Sequence, residues 1–262
     1  MYNKDTMLPA SNVPLKPLKW YKKLATRKGR NEACAFLVEG ERAITQIAQM
    51  HPDEISEVIL MEGHSFAFGD HPVRTLTEKQ FREICLTETP QGTLAVVRLP
   101  AETHADNLPK NPGERILLLE DIQDPGNVGT LIRTAAAFDF DGVIMTQKCA
   151  DPFSPKCVQA TAGTVLSVWL RRSVDYLELV QYLKRKDFAL TIADVHGTDE
   201  PSVPASQNKL VIALGNEASG PSRELLQLAD SQLRIPIARE KAESLNVAAC
   251  GAICMYLSSL KD

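Results

Sequence analysis

No CxxC pair and no cysteine–histidine cluster with metal spacing occurs in these 262 residues; the six cysteines and five histidines are scattered. That excludes a disulfide scaffold and gives no reason to expect a metal site. There is no Walker A Gly-Lys-Ser/Thr and no GxGxxG at any strand–helix junction, so the two commonest nucleotide cradles are missing. The N-terminus, MYNKDTMLPASNVPLK, has neither an apolar signal core nor amphipathic transit character. The uncharged run from Ser244 to Leu260 is 17 residues long and contains Ser and Asn, short of the roughly 20 apolar residues of a membrane span. A cytoplasmic protein without membrane or metal partners is the expectation. An excess of positive charge is absent too: 29 Lys and Arg face 33 Asp and Glu, a net charge of -4. Nucleic-acid binders usually carry the opposite sign.

What is present is ordinary for a globular protein, with 44% hydrophobic and 24% charged residues, which excludes disordered and collagen-like classes. The first third alternates helix and strand. Leu18 to Arg27 and Glu41 to Met50 have helical spacing, and Thr77 to Gln80 has the form of a capping box. Ala35–Val38, Val58–Met61 and Thr93–Leu99 are short apolar strands. Pro100 to Glu114, with three prolines and Gly113, has linker composition. The pattern then restarts with Ile116–Leu119, a helix from Val128 to Phe138, Val143–Met145, a helix from Val174 to Lys186, Phe188–Ala193 and Leu210–Leu214. Continuous apolar strands between helices indicate a parallel sheet buried on both faces. The division expected is 1–100, a 101–114 linker and 115–262. In the last helix Leu245, Ala248, Ala249, Ala252, Ile253, Tyr256, Leu257 and Leu260 form one stripe, and no charge interrupts either face. A helix of that kind is usually buried all round, under its own sheet or against a second subunit.

Ligands of open α/β sheets bind where strands end, and three loops there carry polar motifs. In Glu120 to Thr134, Pro125-Gly126 makes a turn, Asn127 reads as a helix N-cap, and Val128, Leu131, Ile132 and Ala135 form the buried stripe. Arg133 falls off that stripe, within about two turns of a helix N-terminus able to receive an anion. On this loop alone a capped surface helix with an ordinary arginine is the better explanation. Leu214 to Ser222 sets Glu217 among Gly215, Asn216 and Gly220 directly after a core strand, with Ser222 as cap of the next helix; a plain glycine turn is the alternative. Ile235-Pro236-Ile237 and Glu243 to Ala248 form the third, with Ser244 reading as the N-cap of the last helix and Asn246 on its polar face.

In this order the loops PGNVGTLIRTAAAF, LGNEASGPS, and IPIARE with SLNVAACGAI resemble the SpoU (TrmH-like) family of RNA ribose methyltransferases in the SPOUT superfamily. The first third, in FLVEGERAI and TETPQGTLAVV, resembles the family's L30e-like substrate-binding domain, and only the first dozen residues lie outside the likeness. The resemblance implies a C-terminal α/β knot (SPOUT) domain behind a smaller mixed α/β RNA-binding domain. It implies a homodimer whose sites are completed across subunits, and methyl transfer from S-adenosylmethionine to a ribose 2′-hydroxyl. By motif position the catalytic set is Asn127, Arg133, Glu217, Ser244 and Asn246. The cofactor set is Ala193, Leu214, Gly215, Asn216, Gly220, Ile235, Ile237 and Leu245. A guanidinium is a poor base, so Arg133 reads better as a clamp on the target phosphate. The N-terminal domain type favours ribosomal RNA. Transfer RNA, a non-catalytic RNA-binding relative and a dinucleotide-dependent enzyme are the rivals. Two departures stand out: Ala218 and Gln159 occupy positions where the family often has glycine and arginine.

The net charge conceals a distribution. Between Pro14 and Arg30 lie Lys16, Lys19, Lys22, Lys23, Arg27, Lys28 and Arg30 with no acid, around Trp20 and Tyr21. A solvated helix face is the ordinary explanation of such a run. At the entrance of an RNA-binding domain it reads as a phosphate footprint with stacking partners, with Arg171-Arg172 and Lys184-Arg185-Lys186 as extensions.

Overall fold

The computed structural model describes residues 16–66, 71–197 and 208–260. Two compact units result: 1–100 together with 153–163, and 101–152 together with 164–262. The return of 153–163 to the first unit is not legible in the sequence.

In the first unit, helices α1 (Leu18–Lys23) and α2 (Arg27–Ala33) replace the single helix expected over Leu18 to Arg27. Thr26 breaks it by capping α2, its hydroxyl accepting from Gly29 N. Strands β1 (Ala35–Glu39), β2 (Ile55–Met61), β3 (Val73–Leu76) and β4 (Thr93–Arg98) form a sheet in the order β1-β4-β2-β3. Helices α3 (Glu41–Met50) and α4 (Glu78–Arg82) join it, and the capping box at Thr77 and Gln80 is formed in both directions. Tyr21, Leu37, Ile59, Phe81, Leu94 and Val96 are among its buried core.

The second unit holds the parallel sheet. Strands β5 (Arg115–Leu119), β6 (Gly142–Thr146), β7 (Trp169–Ser173), β8 (Ala189–Ala193), β9 (Leu210–Leu214) and β10 (Ser231–Leu233) run in the order β10-β8-β9-β5-β6-β7. Every pairing is parallel. Ile116 to Leu119 and Val143 to Met145 have no exposed surface, as strands covered on both faces require. The helices are α5 (Pro125–Ala137), α7 (Tyr176–Lys184), α8 (Arg223–Leu228) and α9 (Val247–Ser259); α6 (Pro155–Thr161) lies in the segment belonging to the first unit.

Strand β7 overturns the reading of Arg171 and Arg172 as surface cations, because both are buried. Arg172 donates to the carbonyls of Gln147 and Cys149, and Arg171 to Asn107 O and the Glu102 carboxylate. Buried guanidinia need such partners.

Helix α9 packs on α5. A Cβ at Gly251 would stand 2.4 Å from Leu131 Cδ2 and 2.7 Å from Leu214 Cδ1, so the approach depends on glycine there. At its far end Ser258 accepts a hydrogen bond from Arg115 at the foot of β5. Helix α9 has one buried face and one exposed face, where burial all round was expected. Gly251, Cys254, Met255 and Ser258 point inward, while Tyr256 is 51% and Leu260 44% exposed. Within one chain the helix is not buried all round.

Candidate active site

Each motif loop leaves the C-terminal edge of the parallel sheet. After β5 the chain enters α5 through Asp124, whose carboxylate Oδ1 accepts from Gly126 N and Asn127 N at 2.7 and 3.0 Å. Asp124, not Asn127, is therefore the N-cap, and the Asn127 side chain is released from capping. The expected stripe of Val128, Leu131, Ile132 and Ala135 is fully buried. At the other end of the sequence Asn246 replaces Ser244 as N-cap of α9, its Oδ1 accepting from Ala248 N and Ala249 N at 2.9 and 3.3 Å.

Between β9 and α8 the chain folds into a tight loop. Gly215 is required because a Cβ there would meet Pro221 N at 2.2 Å; the glycine admits the loop's own backbone. Gly220 has φ +69°, whereas Ala218 does not have positive φ, so alanine fits at the position where the resemblance leads one to expect glycine. Asn216 holds the loop together. Its Oδ1 accepts from Ala218 N and Ser219 N, and its Nδ2 donates to Asp121 O at 2.8 Å. Ser222 caps α8 as expected, by accepting from Leu225 N.

These loops bring three of the five catalytic candidates together. Asn127 Nδ2 donates to Glu217 Oε1 at 3.1 Å, and Asn246 Nδ2 donates to Asn127 Oδ1, also at 3.1 Å. One residue from each motif thus joins a single hydrogen-bonded row. The N-termini of α5 and α9 stand beside it, and helix N-termini favour negative charge. Ser244 lies two residues before Asn246 in the wall of a cleft. Arg133 is elsewhere. It is exposed and forms no hydrogen bond or ion pair among the described residues. Six positions beyond Asn127, it points about 120° around the helix and sits roughly 9 Å along it.

The cofactor candidates divide between two cavities. Ala193, Ile235, Ile237 and Leu245 line a cleft with Asp194, Val195, Leu233, Ser244 and Cys250. Asn216 and Gly220 instead line a larger cavity on the other side of the 215–222 loop. Leu214 is buried in the core, so only main-chain groups of Leu214 and Gly215 could serve a ligand. The cleft fits the nucleoside end of S-adenosylmethionine by its chemistry: four aliphatic side chains, and main-chain groups of Ile235 and Ile237 with no hydrogen bond among the described residues. Its volume of about 80 Å³ is below the few hundred Å³ that cofactor-sized ligands fill. Cys250, which by its spacing of four from Cys254 reads in the sequence as a core residue and not as a cofactor contact, belongs to this wall. A hydrogen bond from the Cys254 thiol holds the Cys250 thiol below its usual range, against burial; Cys254 is pushed up.

The basic stripe is shorter than the sequence suggests. Arg30 is buried and donates to Leu24 O and Ala25 O; Tyr21 is buried as well, so neither is available for RNA. Lys22 pairs with Glu83 at 2.8 Å and Lys28 approaches Glu32 at 3.8 Å. Lys16 lies over the Trp20 ring. Lys19, Lys23 and Arg27 remain exposed with no partner among the described residues. Lys184 bonds Leu228 O and Asp230, and Gln159 is an exposed residue of α6.

Residues 114–256 match the model of the SpoU rRNA Methylase family, and residues 16–95 match the MRM3-like substrate binding domain. The chain belongs to the SpoU rRNA methylase family. A relative in Bacillus subtilis (strain 168), 23S rRNA (guanosine(2553)-2′-O)-methyltransferase RlmP, is 31% identical over 244 residues, 91% of this chain and 94% of that protein. A TrmH-family structure from Porphyromonas gingivalis superposes with TM-score 0.78 at 29% identity, covering 97% of this chain and 98% of that one. The AdoMet-bound rRNA methyltransferase structure from Sinorhizobium meliloti gives TM-score 0.75 at 27% identity, covering 92% and 93%. The SpoU fold class, an α/β knot domain behind a mixed α/β domain, is thereby the fold of this chain. Among the described residues no helix is long and apolar enough to cross a membrane.

Proposed function

We propose that this protein transfers a methyl group from S-adenosylmethionine to a ribose 2′-hydroxyl of ribosomal RNA. The observation that carries the reading is the row Asn246–Asn127–Glu217, assembled from three loops beside an apolar cleft. Ribosomal RNA as substrate rests on family membership and on the match to a 23S rRNA 2′-O-methyltransferase along nearly all of both chains.

In this reading Ala193, Ile235, Ile237 and Leu245 hold the cofactor, with main-chain groups of Gly215 beside them. S-adenosylmethionine supplies an electrophilic methyl group. The chain's own task is to orient an alcohol and handle its proton. Asn127 donates to one oxygen of Glu217 and leaves the other free to accept a hydrogen bond from the ribose hydroxyl. Both ends of the Asn127 amide are used, so the carboxylate is held in one orientation before substrate arrives, which is where such sites gain their rate. The two helix N-termini stabilise the oxygen as negative charge develops on it.

Arg133 fits this scheme as the phosphate clamp only if a second copy supplies it, because within one chain it points away from the row. The exposed Tyr256 on α9 and Leu260 at its C-cap, with Phe138 tilted against Tyr256 at a ring-centroid distance of 6.2 Å, form the apolar surface on which a homodimer would close. We assign residues 1–100 to RNA capture, with Lys19, Lys23 and Arg27 as phosphate contacts, 101–114 as the linker and 115–262 to catalysis, and we place the protein in the cytoplasm with its substrate. Radioactive methyl transfer to unmodified 23S rRNA tests the reading: ribose-methylated product supports it, and transfer RNA labelled in preference would replace the substrate.

A further inference from the structure

The 215–222 loop is a partition. On its β8–β10 side lies the cleft assigned above to the cofactor. On its other side, over the ends of β5, β6 and β7, lies a cavity of about 530 Å³ that the proposed mechanism does not use, although the motif residues Asn216 and Gly220 line it. That volume is in the range of a bound nucleotide-sized ligand. It also sits at the edge where open α/β sheets place ligands.

Its wall is built and rigid. Glu120, 4% exposed, accepts from Tyr176 Oη, Ser222 N and Ser222 Oγ. Burial, and then the Glu120 carboxylate, push the Tyr176 phenol up, so it stays a donor to Glu120. Asp121, at φ +59°, is fixed by Thr146 Oγ1 at 2.6 Å and Asn216 Nδ2 at 2.8 Å. Such a left-handed residue is costly unless its surroundings over-determine it. With the acids committed, the groups left for a ligand have a different character. Val174 is 66% exposed and, with Pro221, offers an apolar surface. Lys148 and Arg223 are exposed residues of the lining; Lys148 is ion-paired with Asp121 at 3.0 Å, and Arg223 forms no hydrogen bond or ion pair among the described residues. An apolar seat with two exposed cations in its lining suits a base and its phosphate.

We propose that this cavity is a second RNA subsite, holding an unpaired nucleotide near the methylated one: base against Val174 and Pro221, phosphate toward Lys148 and Arg223. This rests on the methyltransferase reading. Glu217, on the partition between the two cavities, then has the donor on one side and the substrate strand on the other. The subsite makes Val174 and Arg223 determinants of substrate choice outside the family motifs.

The test uses the full-length protein and unmodified 23S rRNA. Val174→Trp fills the seat and Arg223→Glu reverses the charge. Each is expected to raise KM for RNA about tenfold while kcat stays within about threefold and S-adenosylmethionine affinity is unchanged; Arg223→Lys should recover most of the loss. A wild-type enzyme that methylates rRNA alongside two variants with unchanged KM overturns the subsite and leaves the function standing. A wild-type protein that transfers no methyl to RNA overturns the function itself. Equal losses in cofactor affinity and kcat would mark the cavity as structural support only and also refute the subsite.

Discussion

Asn127 and Glu217 lie 90 positions apart in the sequence and are joined by a 3.1 Å hydrogen bond from the asparagine amide to the carboxylate. Because Asn127 Oδ1 simultaneously accepts from Asn246, the amide cannot turn without losing both. Asn127→Asp places a carboxylate against Glu217 and leaves its shape unchanged. Removal of one preorganised donor typically costs about 10²–10³ in rate, and a loss of that size in kcat is expected. Cofactor affinity measured by calorimetry should stay within about threefold, since no cleft side chain is altered. A variant at full kcat would remove the row from the mechanism.

Arg133 supports a sharper test, because no hydrogen bond or ion pair among the described residues engages it. Arg133→Ala should leave the melting temperature unchanged and abolish most activity. Glu217→Ala should also be inactive. If Arg133 serves the other subunit's site, subunit exchange between the two dead variants creates one intact site per mixed dimer. Random exchange then restores about a quarter of wild-type activity. An inactive mixture, shown to exchange by native mass spectrometry, would place Arg133 in its own subunit's site.

Tyr256 on the uncharged helix α9 and Leu260 at its C-cap are exposed. A double change to Asp should convert a dimer to a monomer in analytical ultracentrifugation and take activity with it. A monomeric wild type at micromolar concentration contradicts the dimer surface directly.

Cys250 lies in the wall of the cleft proposed to hold the cofactor. Its thiol is held below its usual range by Cys254, so more of it is thiolate at a given pH, and the thiolate is the reactive form. Iodoacetamide should label Cys250 well before the fully buried Cys254, and saturating S-adenosylmethionine should slow it. Exposed Cys34 serves as internal reference and should be indifferent to cofactor. Equal labelling of Cys250 with and without cofactor moves the donor out of this cleft.

The shortened basic stripe separates two kinds of arginine effect. Lys19, Lys23 and Arg27 changed together to Glu should weaken rRNA binding and flatten its salt dependence, since each phosphate contact contributes close to one unit of slope. Arg30→Ala should instead lower stability by about 1–3 kcal/mol, because its buried bonds to Leu24 O and Ala25 O are lost. RNA affinity of the folded fraction should be unchanged.

What the sequence made legible follows from range. The apolar run Ile116–Leu119, the stripe Val128–Ala135 and the Thr77 capping box are local patterns, and each is found in place. Helix N-caps were misplaced at Asn127 and Ser244 because Asp124 and Asn246 satisfy the same local rule a few residues away, and only backbone geometry chooses between them. Arg30, Arg171 and Arg172 look like surface charge in sequence; Arg30 turns back onto the carbonyls of Leu24 and Ala25 between α1 and α2, and Arg171 and Arg172 are met by groups of distant loops. The same limit hid β7, whose Arg171-Arg172 interrupts the apolar signal, and the cavity over β5–β7, whose wall is drawn from four separate segments. Within the site, motif order identified Asn127, Glu217 and Asn246, but that they touch, and that Arg133 does not join them, are facts of the fold.

The most direct measurement is the position of the transferred methyl group. Unmodified 23S rRNA is incubated with the protein and radioactive S-adenosylmethionine, then hydrolysed with alkali. A ribose 2′-O-methyl group blocks cleavage at its own linkage, so the account predicts label in an alkali-resistant dinucleotide, lost with Asn127→Asp. Label recovered in a mononucleotide, which marks base methylation, or no label in RNA at all, would contradict it.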